Sequence, residues 1–199
     1  LIACDYIYPD PNNLVIFPDN HDMDRYFTQL NEDLDLYKLG LVYLFTTRGI
    51  PQIYYGTEIL MSNPNSHSHG EIRTDFPGGW KNDITSAFTG VGLNYQQKES
   101  QSFVKDILGW RKNNNIIHQG KLMHYAPDNG LYVYFRYNDS GSIMVILNKS
   151  NDSRRVYKHH YPKMLKSYTK GRLVFSDEEI LLDNIHIPAR TAYIIELTK

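Results

Sequence analysis

The 199-residue sequence contains a single cysteine, Cys4, so it cannot form an internal disulfide bond. It has no run of about 18 or more apolar residues, which excludes a membrane-spanning helix. Neither sign of charge is in excess, since 21 Lys and Arg side chains stand against 22 Asp and Glu. This balance provides no basic surface for nucleic acid or for an anionic membrane.

The sequence also lacks the glycine-rich loops that bind phosphate and the local motifs of serine, cysteine and lysine nucleophiles. It begins at Leu1 without a methionine or a signal peptide, so we expect that it opens inside a longer protein. Hydrophobic residues make up 41% and charged residues 22%, as in a globular protein with one domain or slightly more.

Tyrosine is abundant, with 16 residues within an aromatic content of 13%. The apolar C–H faces of sugar rings stack on aromatic side chains, so this content is compatible with carbohydrate binding. Tyrosine is also common at half-buried strand positions, and we apply that interpretation to most individual tyrosines.

Short apolar runs alternate with helical patterns in the first part of the chain, residues 1–117. The continuous apolar run 14–17 predicts a strand buried on both faces, and residues 53–55 predict a second strand. Apolar residues at helical spacing predict helices over 34–45 and 100–113. The order strand, helix, strand, loop, helix is typical of an array with parallel strands.

Residues 57–98 form a long segment without clear periodicity, rich in Gly, Asn, Ser and Pro. A loop of this length in a compact domain is usually functional or disordered. Phe76, Trp80 and Phe88 within it argue against simple disorder.

The second part, residues 118–199, is predicted to be an antiparallel β-sandwich, because short strand-like runs alternate with turn signals. The predicted strands are 131–137, 143–147, 155–159, 167–169, 173–176, 180–182, 185–187 and 192–197. In the first of them we expect Tyr132 and Tyr134 to face outward. Successive strand residues alternate between faces, so Val133 and Phe135 would then face the core.

A polar segment directly follows the first predicted strand and carries most of the chemical information: Pro18-Asp19-Asn20-His21-Asp22. Ligands of parallel sheets bind at the carboxyl ends of the strands. His21 can donate a hydrogen bond to a sugar hydroxyl, and Asp22 can accept such bonds or face a developing positive charge. Glycoside hydrolysis passes through such a charged state, which a fixed carboxylate stabilises. The simpler interpretation is a loop that caps the next helix.

A metal site is a competing hypothesis for these residues, since His67 and His69 could join His21 and Asp22. Neither histidine pair has the i, i+4 spacing of helical metal ligands, and neither has a cysteine partner. We therefore predict no metal site in this chain.

At this point the sequence resembles a known family. Phe17 to Arg25, with the core Asn20-His21-Asp22-Met23-Asp24-Arg25, is similar to the fourth conserved region of the alpha-amylase superfamily of glycoside hydrolases. Pro51-Gln52-Ile53-Tyr54-Tyr55-Gly56-Thr57-Glu58 resembles the eighth barrel strand of that family and the loop behind it. Thr74-Asp75-Phe76-Pro77-Gly78-Gly79-Trp80 resembles the neopullulanase and cyclomaltodextrinase group within it.

The resemblance implies a (β/α)8 barrel followed by a C-terminal β-sandwich domain, and a retaining glycosidase that acts on alpha-glucans such as starch, pullulan or maltooligosaccharides. Residues 1–117 would supply barrel strands seven and eight with helices seven and eight, and residues 118–199 would form the sandwich.

The resemblance also implies roles for individual residues. Asp22 would be the third catalytic carboxylate, the transition-state stabiliser, and would bind hydroxyls of the sugar at the cleavage point. His21 would bind the same sugar, with Asn20 beside it. Arg73 and Asp75, on the long loop, would reach a neighbouring sugar.

The family's nucleophile and its acid/base residue lie on barrel strands four and five, and this sequence contains no counterpart of strands one to six. Retention of configuration needs two carboxylates about 5 Å apart, and Asp22 matches neither of them. We therefore expect the chain alone to be inactive. We also expect it to associate with the missing part of the barrel or with itself.

The main alternative is a non-catalytic carbohydrate-binding or assembly module, in which residues 20–22 would be dispensable for sugar contact. A structural interaction domain that binds no glucan is a third hypothesis. The resemblance favours the periplasm or the extracellular space and leaves the cytoplasm open. It implies no cofactor in this chain, and any calcium in the longer enzyme would take most of its ligands from earlier segments.

Overall fold

Helical turns and two very short strands make up the first half of the chain, and antiparallel strands make up the second, in a computed structural model that describes residues 2–198. The α-helices are α1 (Tyr26–Gln29), α2 (Leu34–Thr46), α3 (His69–Ile72), α4 (Tyr95–Lys112), α5 (Asn115–Gln119) and α6 (Pro162–Leu165). Turns of 3-10 helix occupy Ile2–Ile7, Pro11–Asn13, Thr57–Ile59 and Lys158–His160. None of the helices within residues 2–198 combines the length and the apolar content that crossing a membrane requires.

The strands fall into three sheets. In chain order they are β1 (Val15–Ile16), β2 (Ile50–Pro51), β3 (Lys121–His124), β4 (Leu131–Asn138), β5 (Gly141–Asn148), β6 (Arg154–Tyr157), β7 (Lys170–Leu173), β8 (Glu179–Leu181), β9 (Asn184–Ile187) and β10 (Thr191–Thr198). β1 pairs with β2, six strands form a sheet in the order β3-β4-β5-β10-β7-β8, and β6 pairs with β9.

β1 and β2 are parallel, with Val15 opposite Ile50, and α2 lies between them in sequence. This confirms the predicted first strand and a parallel pairing, but the second strand is not at 53–55 as predicted. Gly49, at φ 110°, turns the chain directly into β2. The prediction that the first strand is buried on both faces is also wrong, since Val15 is 55% exposed; Ile50 of β2 is 50% exposed.

Helix α2 forms because its N-terminus is capped and one of its faces is apolar. The Asp33 carboxylate accepts hydrogen bonds from the backbone N–H of Asp35 (3.1 Å) and Leu36 (3.0 Å), which satisfies donors that the helix itself leaves free. Tyr37 and Leu41 on the apolar face are fully buried.

Helix α4 begins at Tyr95, five residues before the predicted start at residue 100. A capping box explains the earlier start: the Asn94 side chain accepts from the Gln97 N–H at 2.9 Å, and the Gln97 side chain accepts from the Asn94 N–H at 3.0 Å. Val104 and Ile107 then bury the inner face of the helix.

The second part of the chain is antiparallel, as predicted, and its strands form two layers. Most predicted strands occur within a few residues of their expected positions, but residues 167–169 and 173–176 are replaced by the single strand β7. Strand β3, which pairs with β4, was not predicted.

The six-stranded sheet is buried on both faces, which corrects the predicted orientation of two tyrosines. Val133 and Phe135 pack toward β6 and β9, as expected. Tyr134 is 0% exposed rather than outward, because the opposite face of the sheet packs on α2 and α4. Tyr132 is half-buried on that same face, with its ring centroid 6.2 Å from that of Tyr43.

Arg136 links the two parts of the chain from within this shared core. Its guanidinium is buried and donates to the carbonyl oxygens of Gly120 (2.7 Å) and Thr46 (3.3 Å). A further bond goes to Asn12 Oδ1 at 3.3 Å. Burial lowers the pKa of Arg136 to about 10, which leaves the side chain charged at neutral pH.

Candidate functional site

The loop after β1 is anchored by a buried carboxylate and then emerges to the surface. Asp19 is fully buried, and its Oδ2 accepts from the Tyr26 N–H at 2.8 Å and from the Thr57 hydroxyl at 3.2 Å. Removal from water raises the pKa of Asp19, with these hydrogen bonds acting in the opposite direction. Asp19 therefore fixes the base of the loop and does not face solvent.

The next three residues turn outward. The Asn20 side chain accepts a hydrogen bond from the Asp22 N–H at 2.8 Å, which closes a local turn. His21 Nε2 lies 3.2 Å from Asp22 Oδ2, and their side chains are 62% and 58% exposed. The structure thus presents an imidazole and a carboxylate side by side at the surface.

Arg73 joins this group from the long loop, 51 residues away in sequence. Its Nη2 donates to Asp22 Oδ1 at 2.8 Å, and its Nε donates to the His21 carbonyl at 3.0 Å. Two bonds from one planar guanidinium fix the position of the loop against the Asp22 carboxylate.

Asp75 is placed differently. Within residues 2–198 it makes no hydrogen bond to residues 20–22, and its Oδ2 instead accepts from the indole Nε1 of Trp80 at 2.9 Å. Of the five residues singled out from the sequence, the structure therefore brings together Asn20, His21, Asp22 and Arg73, and sets Asp75 on the adjoining turn.

His69 also belongs to this cluster, although the sequence suggested it only as a member of a competing metal site. It lies in α3, whose first turn is capped by the Ser68 hydroxyl, and its Nδ1 is 3.7 Å from Asp22 Oδ1. The same imidazole nitrogen is within hydrogen-bonding distance of Arg73. The pair His69 and Arg73 has an i, i+4 spacing, a sequence signal for the contact between these two side chains.

Arg25 supports the cluster from below, and its role was also not predicted. The guanidinium is buried between two aromatic rings, 4.3 Å from the ring centroid of Tyr54 and 4.6 Å from that of Tyr55. It also donates to the Tyr55 carbonyl, and its backbone N–H donates to Asn63 Oδ1 at 2.8 Å. These contacts fasten the loop after β1 to the segment after β2.

The Asp24 carboxylate has different partners from the Asp22 carboxylate. Its carboxylate accepts from Asn63 Nδ2 at 2.8 Å and lies 2.7 Å from His67 Nδ1. The hydrogen bond from Asn63, followed by that from His67, lowers the pKa of Asp24. No group of three His, Cys, Asp or Glu residues suited to a metal ion occurs within residues 2–198. The carboxylates of Asp22 and Asp24 are each engaged by nitrogen groups.

Comparison with known proteins places this chain in a family. The alpha amylase catalytic domain matches residues 8–107, half of the chain, and the cyclo-malto-dextrinase C-terminal domain matches residues 122–196. The chain therefore belongs to the alpha-amylase family.

Among its relatives, the 4-alpha-glucanotransferase of Thermotoga neapolitana is 32% identical over 171 residues, 76% of this chain and 37% of that protein. The cyclomaltodextrin glucanotransferase of Paenibacillus macerans is 31% identical over 141 residues, 70% of this chain and 17% of that protein. The chain thus spans well under half the length of these relatives.

Among solved structures, an alpha-amylase from Geobacillus thermoleovorans in complex with acarbose aligns with a TM-score of 0.73. The alignment covers 96% of this chain and 40% of that one at 22% identity, which supports a common fold.

Proposed function

We propose that this chain is the C-terminal part of a retaining glycosidase that acts on alpha-1,4-glucans, of the neopullulanase or cyclomaltodextrinase type. Starch, pullulan and maltooligosaccharides are the substrates we assign to the whole enzyme. The observation that carries the proposal is the exposed cluster of Asp22, His21 and Arg73 at the carboxyl end of β1, in a chain of the alpha-amylase family.

The architecture of residues 15–112 supports this assignment. Two parallel strands joined through α2, and followed by α4, match two successive βα units of a barrel. We assign β1 and β2 to barrel strands seven and eight. The six-stranded sheet and the β6–β9 pair then form the C-terminal domain, which packs directly on the two helices.

Asp22 is suited to stabilise a positively charged transition state. Its carboxylate is exposed at a strand end and is held in orientation by Arg73, with the Asn20 turn fixing its backbone. A sugar whose ring carbon gains positive charge next to this carboxylate is stabilised electrostatically. The neighbouring His21 imidazole can donate to a hydroxyl of the same sugar.

The nucleophile and the acid/base residue are assigned to the part of the enzyme that precedes this sequence. A retaining mechanism needs both of them about 5 Å apart, so the 199-residue chain alone should not turn over maltooligosaccharides. In this proposal the chain contributes the transition-state stabiliser, sugar contacts and the C-terminal domain.

The test is to compare Asp22→Asn in the natural gene product with the parent protein on maltooligosaccharides, and to measure acarbose binding alongside. We expect kcat to fall about a hundredfold or more, because one preorganised charge at the reacting centre is lost. Asp139→Asn, at an exposed turn of the C-terminal domain, is the matched control and should leave kcat unchanged.

Two outcomes would contradict the proposal. Near-parental turnover by Asp22→Asn would remove this residue from the reaction, and turnover by the purified 199-residue chain would show that it is not a partial site. Acarbose binding that survives loss of both Asp22 and His21, without turnover by the natural gene product, would favour the non-catalytic carbohydrate-binding module instead.

A further inference from the structure

Trp80 is a large aromatic side chain that the fold leaves at the surface, with 67% of its area exposed. Indole rings bury a large apolar area when they are covered, so a tryptophan held open to water is a candidate contact for a ligand. The ring lies on the long loop that also carries Arg73.

Two carboxylates hold Trp80 in this position. Asp75 Oδ2 accepts from the indole Nε1 at 2.9 Å, so the only polar atom of the ring is already satisfied. Asp83 Oδ2 accepts from the backbone N–H of Trp80 at 3.1 Å and of Gly78 at 2.8 Å, which ties the turn beneath the ring. The ring orientation is therefore fixed while its apolar faces stay available.

The turn itself depends on glycine and rests on a small core. Gly78 has φ 95°, and a Cβ placed there would lie 2.8 Å from the Ser86 Cα. The Ala87 N–H donates to the Pro77 carbonyl at 3.0 Å, and Ala87 is buried against Ile59. A side chain presented from such a support loses little conformational freedom when a ligand covers it.

The position of Trp80 relates it directly to the cluster around Asp22. Arg73 binds Asp22, and Asp75 follows Arg73 by two residues. The Cα atoms of Arg73 and Asp75 are therefore about 7 Å apart at most. The intervening Thr74 is itself fixed, since its carbonyl accepts from the Tyr55 hydroxyl at 2.8 Å. The indole and the Asp22 carboxylate are therefore held by neighbouring residues of the same loop, Asp75 and Arg73.

We propose that Trp80 is a stacking platform for a further glucose unit of the glucan chain bound at Asp22, and that Asp75 is a positioning residue for its ring. This inference rests on the proposed function and adds a binding contact to the same site. The occupant is a pyranose of the alpha-glucan chain, whose apolar C–H face covers the indole while its hydroxyls stay in water.

The experiment measures acarbose and maltotriose binding to the natural gene product by calorimetry, with intrinsic fluorescence as a second readout. Trp80→Ala is expected to weaken acarbose binding roughly tenfold, the effect of losing one well-placed aromatic contact. Trp80→Phe retains a flat apolar face and should recover most of the affinity. Tyr95→Ala removes another exposed aromatic, at the start of α4, and should have no effect.

A double-mutant cycle separates positioning from direct contact. Asp75→Ala should weaken binding in the parent but add nothing to Trp80→Ala, because Asp75 acts only through the indole. Losses that add in the double variant would show that Asp75 contacts sugar itself, and would overturn its assignment as a positioning residue.

The outcomes also separate this inference from the function on which it rests. Unchanged acarbose affinity in Trp80→Ala, with Asp22→Asn still defective in turnover, would overturn the platform alone. If the natural gene product binds no glucan, the proposed function and the platform both fail.

Discussion

At the scale of residues, two neighbouring aspartates take opposite environments. Asp19 is buried and accepts hydrogen bonds from the backbone of Tyr26 and the side chain of Thr57, whereas Asp22 is exposed and pairs with Arg73. Only three positions separate them in the loop after β1. This short loop therefore carries both a buried carboxylate that anchors it and an accessible carboxylate. Sequence spacing alone did not distinguish the two roles.

The buried Asp19 gives a prediction for stability against pH. Because burial raises its pKa in the folded protein above the unfolded value, its contribution to stability is largest at low pH and declines as pH rises through the folded pKa. Asp19→Asn stays neutral, so its free energy of unfolding relative to the parent should increase as pH rises above about 4, the ordinary pKa of an aspartate. Urea unfolding at several pH values measures this difference.

Asp33 provides a control in which the change of stability with pH has the opposite sign. Hydrogen bonding to the Leu36 N–H, followed by Arg190, lowers the pKa of Asp33, so its contribution is present at neutral pH and lost on acidification. Asp33→Asn should therefore lose stability relative to the parent as pH rises. Equal pH profiles for the two variants would contradict both assignments.

The sequence predicted the surface part of the site better than its support. Asn20, His21 and Asp22 are contiguous and follow an apolar run, and the resemblance to a conserved region singled them out; the structure places His21 and Asp22 together at the surface. The contact of Arg73 with Asp22 and the hydrogen bond from Trp80 lie in a loop without periodicity. Only the tertiary path of residues 57–98 determines those contacts.

At the scale of elements, strand β4 shows why alternation can mislead. Its residues alternate between tyrosines and apolar side chains, a pattern that predicts one face in water. The Tyr134 hydroxyl is instead hydrogen-bonded to Thr46 of α2, which makes burial of its polar end tolerable. Strand position was predictable from apolar runs, but burial of the second face depended on a helix distant in sequence.

Replacement of Tyr134 tests this two-sided burial. Tyr134→Ala should lower the free energy of unfolding by about 3–5 kcal/mol, as expected for emptying a large aromatic site in a core. Tyr95→Ala, at an exposed position, should change it by less than about 0.5 kcal/mol. Chemical denaturation measures both, and a small effect at Tyr134 would show that the sheet does not pack on α2.

At the scale of the whole molecule, the parallel pair β1–β2 is the exposed edge of the structure. Two strands cannot close a barrel, and the outer edges of this pair have no partner strand within residues 2–198. Val15 and Ile50 present apolar area on these strands, and Phe17 does so directly after β1. Such edges and faces favour association with another chain.

The purified 199-residue chain is therefore expected to self-associate as its concentration rises, which sedimentation velocity measures. The double substitution Val15→Lys and Ile50→Lys places charge on both strands and should shift the chain toward monomer. Leu181→Lys, on an exposed position of β8, is the control and should not. A parent chain that stays monomeric at all concentrations would contradict this expectation.

The two-faced packing of the six-stranded sheet has a consequence for protein engineering. A C-terminal domain exchanged between relatives by cutting near residue 118 would lose the surface of α2 and α4 that covers Tyr134, Ile143 and Val145. Chimaeras joined there would need the incoming sheet to match the helices of the host. Exchange of the whole segment from α2 onward keeps that surface intact, so the segment to exchange is larger than the C-terminal domain that sequence comparison outlines.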